Sequence, residues 1–233
     1  MAAIVVLDDA GAHLASWTLD PSLQVFHIAG RPDGSVVVVG AYAYAEPTVA
    51  GRALPRTGSS RVTFVATYQP DGTPIDAFAI TAPMSPVSPT ALAATADGDV
   101  VLGTTQVFLE KRGIDGTVRW THPEEDGAGG RAEAIELSTS PTGEILAVAS
   151  LTGGYGFGMG PGTATRDLVL FAPDGSASRQ RGIEALVRTA RVASATRWVA
   201  AGEFYGTFAV GTTALRAPPP SYTPATLLVD FTP

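Results

Sequence analysis

Aromatic side chains recur just after one strand of a repeated pattern, and they are the residues best suited to recognition chemistry. The candidate recognition residues are Tyr44, Tyr155, Phe157, Tyr205 and Tyr222, with Tyr42 and Phe204 beside them. Exposed tyrosines offer a large contact area at low entropic cost. We therefore predict that the five candidates form a recognition face. The alternative is that they pack the long loops onto the strands.

Residues for catalysis or metal binding are not spaced as those chemistries require. His13, His27 and His122 fall on three different elements, the chain has no cysteine, and no Gly-x-Ser-x-Gly segment occurs. A zinc site needs closely spaced ligands, and a serine hydrolase usually has that elbow. We predict no catalytic residue, no metal and no cofactor.

Two further segments contain residue types that serve phosphate binding or glycoside hydrolysis in other proteins. The glycine-rich run 153–162 contains Pro161 and precedes a strand, so it predicts an insertion loop and not a phosphate cradle. The acidic run 124–126 falls in a loop. Paired carboxylates serve glycoside hydrolysis, which leaves a carbohydrate-active enzyme as an alternative function.

The charge balance and the start of the chain limit the kinds of partner and location that we expect. The net charge is −7, and Lys111 is the one lysine among fifteen basic residues, so the basic surface that nucleic acid needs is not expected. No apolar run approaches a bilayer span, so we expect no membrane insertion. The first nine residues lack the basic segment of a signal peptide, so none is expected in the chain as given.

Strands of two kinds alternate in fixed order along the chain. One kind ends in a glycine turn at Gly11, Gly72, Gly116 and Gly175. The other surrounds a short turn at Asp33-Gly34, Asp97-Gly98 and Thr142-Gly143. Asp-Gly between apolar runs is a strong hairpin signal and predicts two-residue type I′ turns. One repeat is therefore four strands in two hairpins, which we number first to fourth.

This alternation predicts an all-β fold, a small β-propeller of about four four-stranded antiparallel blades in one domain, 1–233. The repeats are 23–80, 88–122, 131–182 and 186–231, with 4–19 completing the last blade. Trp17 and Trp120 are expected at matching positions of fourth strands. We expect the ring to be closed by pairing of the N- and C-terminal strands, and any oligomer contact to lie at this terminal seam.

The repeat resembles the bacterial SBBP-type β-propeller repeat family. The resemblance rests on segment 199–215, on 48–54 followed by 64–72, and on 153–162 followed by 168–175; the second repeat lacks this insertion. Such a resemblance implies blade architecture and an exported or cell-surface bacterial protein. The family shares no catalytic residues, so it implies no site.

These observations favour a non-catalytic binding or assembly module that recognises a protein or glycan through its loop-rich face. The alternatives are a carbohydrate-active enzyme with acidic residues at a channel mouth, and a structural subunit of a larger bacterial assembly. A converging pair of carboxylates would favour the enzyme.

Overall fold

The computed structural model describes residues 2–8, 10–43, 46–56, 61–81, 88–105, 107–125, 130–153, 155, 166–183, 185–194, 197–204, 207–210, 213–216 and 225–231. The regular elements of these residues are all strands. Accordingly, no helix long and apolar enough to cross a membrane occurs among them.

The strands follow one another along the chain. They are β1 Ala3–Leu7, β2 His13–Thr18, β3 Gln24–Gly30, β4 Val36–Tyr42, β5 Thr48–Val49, β6 Arg52–Ala53, β7 Val62–Tyr68, β8 Pro74–Ile80, β9 Pro89–Ala94, β10 Val100–Thr104, β11 Val107–Arg112, β12 Val118–Pro123, β13 Arg131–Thr139, β14 Ile145–Thr152, β15 Arg166–Phe171, β16 Ala177–Ile183, β17 Leu186–Ser194, β18 Arg197–Phe204, β19 Thr207–Val210, β20 Thr213–Arg216 and β21 Ala225–Phe231.

Four sheets carry the repeat. Sheet 1 has the order β3-β4-β7-β8, sheet 2 β9-β10-β11-β12, sheet 3 β13-β14-β15-β16, and sheet 4 β17-β18-β21. Smaller two-stranded sheets are formed by β1-β2, β5-β6 and β19-β20. The prediction of an all-β chain with several four-stranded antiparallel sheets is confirmed. By its internal contacts the chain divides into two compact units: unit 1 is Met1–Gln106 with Glu110–Trp120, and unit 2 is Val107–Leu109 with Thr121–Pro233.

Among the described residues, seven hairpins share one three-residue turn, and the type I′ geometry predicted for the two-residue Asp-Gly turns is wrong. In the first such turn of sheet 1, Gly34 N–H donates to Arg31 O at 3.0 Å and Arg31 N–H donates to Ser35 O at 2.8 Å. The glycine has a positive φ of 82°, whereas the aspartate before it does not. This is a type I turn followed by a left-handed glycine. The same turn occurs with Gly11, Gly34, Gly72, Gly98, Gly116, Gly143 and Gly175.

The residues around the glycine explain this choice of turn. A proline fixes a negative φ at the first turn position in four of the seven turns, which suits type I and not type I′. The aspartate side chain then closes the loop; Asp33 Oδ1, for example, accepts from the N–H and the hydroxyl of Ser35 at 2.9 and 2.7 Å. The one type I′ pair among the described residues is Ala50-Gly51, with φ of 47° and 75°, between β5 and β6.

A β-bulge at one position of every first strand was not predicted. The pairing of the first strand with the second skips Phe26, Thr90, Ile135 and Arg188 in sheets 1 to 4, and in sheet 4 it also skips Ala193. The second strand has a small residue opposite. A Cβ at Gly40 would lie 2.1 Å from Gln24 O, and one at Gly202 would lie 2.5 Å from Leu186 O. Glycine at these two positions therefore lets the bulged backbone approach.

A second repeated contact places a ring from one outer strand on the turn of the next sheet. In unit 1 the Trp17 ring lies over the Gly72 turn, where an added Cβ would be 2.8 Å from the ring, and Phe78 lies over Gly116 in the same way, at 2.9 Å. In unit 2, His122 Nε2 lies 2.7 Å from Gly175 O. Each ring residue stands six positions after its own turn glycine. The predicted match of Trp17 with Trp120 is therefore wrong by two residues.

The apolar core consists of layers between neighbouring sheets. In unit 1, Val37, Val39 and Val65 are buried with Leu92 and Leu102 between sheets 1 and 2. In unit 2, a cluster that includes Leu168, Leu170 and Trp198 fills the space between sheets 3 and 4. Both faces of the central strands are therefore covered, as the continuous apolar strands Val36–Tyr42 and Ile145–Thr152 require.

The predicted terminal pairing is not among the strand pairings of the described residues. Strand β2, the candidate closing strand, pairs with β1, and β21 is the last strand of sheet 4. The C-terminal strand fills the third position of that sheet, with Trp198 opposite Phe231. Strand β1 has the same third-strand pattern and keeps β2 as its own partner.

Candidate functional site

Tyr155 is a packing residue, and its predicted place on an exposed recognition face is corrected by the structure. Its side chain is buried at 4% exposure. The hydroxyl donates to Pro123 O at 2.9 Å, and the ring lies 6.4 Å from the Phe108 ring. These two contacts therefore anchor Tyr155, near the start of the connection 153–165, to Pro123 and Phe108 of the same unit. The other four candidates, Tyr44, Phe157, Tyr205 and Tyr222, lie outside the described residues.

Tyrosines of sheet 1 have the same anchoring role. The Tyr42 hydroxyl donates to Pro55 O at 2.9 Å, and that of Tyr68 is hydrogen-bonded to the backbone of Ala50. Burial raises the pKa of both phenols. The β5-β6 hairpin is thereby held down, with Val49 and Leu54 buried beneath it. The sequence signal is a tyrosine at a strand end, followed by an apolar residue in the insertion.

The second-to-third-strand connections differ from sheet to sheet, unlike the shared glycine turns at the opposite end of sheets 1 to 3. They are 43–61, 105–106, 153–165 and 205–224. The first-strand bulges lie at this same end, because Val25 and His27 pair with Gly40 and Val39 near the end of β4. We call these connections and bulges the variable end of each sheet.

In unit 1, the bulges place polar groups in half-buried surroundings. His27 is hydrogen-bonded to the backbone of Pro89; burial lowers its pKa, and this bond offsets part of the shift. The Thr90 hydroxyl is buried without a hydrogen-bond partner. The Arg61 guanidinium lies 5.8 Å from the Phe26 ring centroid, a cation–π distance. These groups would suit recognition of a polar ligand.

In unit 2, Glu136, the residue after the bulge at Ile135, joins sheets 3 and 4. Its Oε1 accepts from Thr189 Oγ1 at 2.7 Å and from Arg191 Nη1 at 2.5 Å. Two residues further along β13, Ser138 Oγ accepts from the Val192 N–H at 3.1 Å. The carboxylate is therefore occupied by donors from the neighbouring first strand.

A charge cluster lies at the turn end of unit 1. Lys111 is buried, and its Nζ lies 2.8 Å from Asp97 Oδ2 and 3.5 Å from Asp99 Oδ2. Burial raises the pKa of Asp97. Hydrogen bonds from Lys111, Thr95 and the Asp99 N–H, with the Lys111 charge, outweigh burial and lower the pKa to about 2. Arg31 Nη2 donates to Gly98 O at 2.5 Å, which ties sheet 1 to this turn. The cluster is electrically balanced and structural.

Other acidic and imidazole groups are placed singly or in pairs. The described part of the acidic run, Glu124 and Glu125, faces Arg131, whose pKa the Glu124 hydrogen bond raises. His122 lies on the Gly175 turn and 5.1 Å from the Phe171 ring. Among the residues for which the structure gives positions, no three or more His, Asp or Glu side chains are grouped to hold a metal ion.

Comparison with known proteins gives likeness without an activity. No family model and no curated protein matches the chain, so the SBBP-type resemblance stays a prediction. A solved structure of a protein of unknown function from Bacteroides caccae is similar over 92% of this chain and 69% of that one, at 12% identity and a TM-score of 0.49. A puromycin hydrolase mutant complexed with PGG is similar over 90% of this chain, at 14% identity and a TM-score of 0.47. This chain spans 27% of that hydrolase chain.

Proposed function

We propose that this protein is a non-catalytic recognition module that binds a protein or glycan partner at the variable ends of its sheets. The observation that carries the proposal is the contrast between the two ends of sheets 1 to 3. Seven hairpins share one turn with the same internal hydrogen bonds, whereas the connections 43–61, 105–106, 153–165 and 205–224 differ in length and sequence. Binding residues concentrate on variable loops that a rigid scaffold holds in place.

The engagement of the acidic groups supports binding over glycoside hydrolysis. A glycosidase needs one carboxyl group as acid and another as base or nucleophile, at a defined separation. Glu136 is occupied by Thr189 and Arg191, and Glu124 by Arg131. Carboxylates held by donors in this way are structural ion pairs.

We further propose that the four sheets are blades of one small β-propeller. The repeated turn, the repeated first-strand bulge and the repeated ring on the following turn support this arrangement. A contact that recurs between successive sheets is expected when blades stack radially. The variable ends would then share one face, which would be uneven because the second connection is short.

The binding proposal is tested by removing aromatic residues from the variable connections. A triple variant, Tyr44→Ser, Tyr205→Ser and Tyr222→Ser, should lose at least tenfold in affinity for its ligand with an unchanged melting temperature. Glycan-array binding and pull-down, with the captured protein identified and then titrated, supply the measurement. Tyr155 is left intact because its burial makes it a stability residue.

The matched control lies at the turn end. Ile114→Ser with Val118→Ser replaces two exposed apolar side chains and should leave both affinity and stability unchanged. Undiminished binding by the tyrosine variant, or loss of binding by the control, would place recognition elsewhere and overturn the proposal.

A further inference from the structure

Asp167 occupies a position that is aromatic in two other repeats. It lies four residues before the last residue of β15 that pairs with β14, as Phe64 does in β7. Phe108 stands four residues before Arg112, the last residue of β11 that pairs with β10. Both phenylalanines are 0% exposed, and Asp167 is 1% exposed. A carboxyl group therefore fills a core position of the repeat.

The row of residues across sheet 3 leaves Asp167 among small side chains. Its cross-strand partners are Ala149 on one side and Gly182 on the other, and Ala134 follows Ala149. Ala134 and Ala149 are fully buried. None of these neighbours donates a side-chain hydrogen bond. The carboxyl group must find its partner further along the sheet.

That partner is one amide. Gln180 Nε2 donates to Asp167 Oδ1 at 3.0 Å. Asp167 Oδ2 and Gln180 Oε1 are both buried and have no hydrogen-bond partner. An ionised carboxylate has no proton to donate. Beside a single hydrogen bond from the amide it therefore leaves two acceptor oxygens without a partner. Unsatisfied buried oxygens cost stability, and a single shared proton would satisfy both.

Among the described residues, no cation pairs with Asp167: burial and the Gln180 hydrogen bond are the two influences on the pKa of its carboxyl group. Its own neighbour Arg166 donates to Ser150 Oγ at 3.2 Å, and adjacent strand residues point to opposite faces. On the face of sheet 3 that carries Asp167, the Phe171 ring lies beside the rings of His122 and Phe108. The Phe108 ring in turn lies beside that of Tyr155. His122 lies on Gly175 O and the Tyr155 hydroxyl on Pro123 O. Burial raises the pKa of Asp167, and the Gln180 bond only partly offsets this.

We infer that the protonated Asp167 carboxyl group donates to Gln180 Oε1 in the folded protein, which closes a two-bond acid–amide pair that locks β15 to β16. The proton is exchanged with solvent alone, and no other reactant is needed. Above its pKa the pair would lose one bond and leave an uncompensated charge in sheet 3. Sheet 3 is therefore a proton-dependent element that borders the connection 153–165.

The direction of the pH dependence follows from linkage. A folded-state pKa above the unfolded value means that the folded protein binds more protons, so stability is full below about pH 4 and falls as pH rises through the folded pKa. Over that window the unfolding equilibrium constant contributed by Asp167 rises about tenfold per pH unit.

Infrared difference spectroscopy and pH-dependent unfolding test this inference. As the pH is lowered toward 4, the folded wild type should gain the carbonyl stretch of a protonated carboxyl group that is buried from water, and Asp167→Asn should remove that band. The ratio of the wild-type to the variant unfolding constant should rise between the unfolded and the folded pKa of Asp167 and level off above the latter, with the variant the more stable at high pH. A spectrum without this band, or a ratio that stays constant from pH 4 to 8, would overturn the inference.

A matched control uses a turn carboxylate of the same sheet. Asp174 accepts from the Ser176 hydroxyl and N–H, which lower its pKa. Asp174→Asn should keep the infrared band and the wild-type response above pH 4. If this control also lost the band, the proton would not belong to Asp167.

Discussion

Lys111 shows how one buried charge depends on its neighbours. The ammonium group is buried, whereas the side chain of its closer partner, Asp97, is 56% exposed. Removing the lysine leaves carboxylates that water and Arg119 can stabilise; Arg119 Nε lies 3.6 Å from Asp99 Oδ2. Removing the carboxylates leaves a buried cation alone. The two halves of this ion pair are therefore unequal.

This inequality gives a prediction for stability. Lys111→Met should change the free energy of unfolding by less than about 1 kcal/mol, because an apolar chain of similar length replaces the buried group. The double variant Asp97→Asn with Asp99→Asn should lose roughly 3 kcal/mol, because the ammonium group loses its partners inside the protein. Urea unfolding at pH 7 measures both. A greater loss in Lys111→Met would contradict the account.

Single residues were the hardest part to predict from the sequence. Tyr155 has a side chain suited to recognition, but a type and a loop position do not reveal that Pro123 O lies within reach of its hydroxyl. The sequence alone gives Asp167 no distinguishing feature. Its significance depends on the register that aligns it with Phe64, and strand pairing is a tertiary property. The positions of the Asp-Gly turns were predicted correctly, because the signal is local, although their type I′ geometry was wrong.

At the scale of elements, the turn glycines separate backbone conformation from packing. Gly98 and Gly72 have nearly equal φ, 91° and 88°. An added Cβ meets nothing within 4 Å at Gly98, whereas at Gly72 it would lie 2.8 Å from the Trp17 ring. Substitution at the first position therefore tests the turn, and substitution at the second also tests the contact between β2 and sheet 1.

We predict that Gly98→Ala lowers the free energy of unfolding by about 1–2 kcal/mol, the cost of a left-handed conformation for alanine. Gly72→Ala should lower it by a further 1–3 kcal/mol or so, because the Trp17 ring must move. Denaturant titration of both variants gives the difference. Equal losses would mean that Trp17 does not depend on this turn.

The strands and their order were predictable because the repeat is local. Apolar runs and glycine turns recur in the sequence, so each four-stranded set could be read before any pairing was known. The first-strand bulges were not predicted, because one extra residue shifts the alternation by one position, and such a shift within a short strand does not show which residue is unpaired. Gly40 and Gly202 were the available signal. Their need for space shows only when the opposite backbone is placed.

At the scale of the whole molecule, the proposed propeller makes a prediction for size in solution. A compact 233-residue chain has a radius of gyration of about 17–18 Å. Small-angle scattering from a closed ring should give that value, and a chain of separated units should give a clearly larger one.

A concentration series in the same experiment tests the terminal seam. Val5, Leu7 and Leu14 of the β1-β2 hairpin are each more than half exposed, which is unusual for apolar side chains placed this close together. If copies associate there, the apparent mass should rise with concentration, and Val5→Thr with Leu7→Thr should abolish the rise. Association unaffected by this pair of substitutions would place the contact elsewhere.

The burial of Lys111 also allows the rate of local opening to be measured without an added label. Lysine is the usual target of acylating reagents, and this chain has one, closed off inside sheet 2. Acylation of that side chain must wait for local opening. The rate at which mass spectrometry finds the Lys111 adduct therefore times the opening of this sheet, with no introduced probe and no second lysine to confuse the signal.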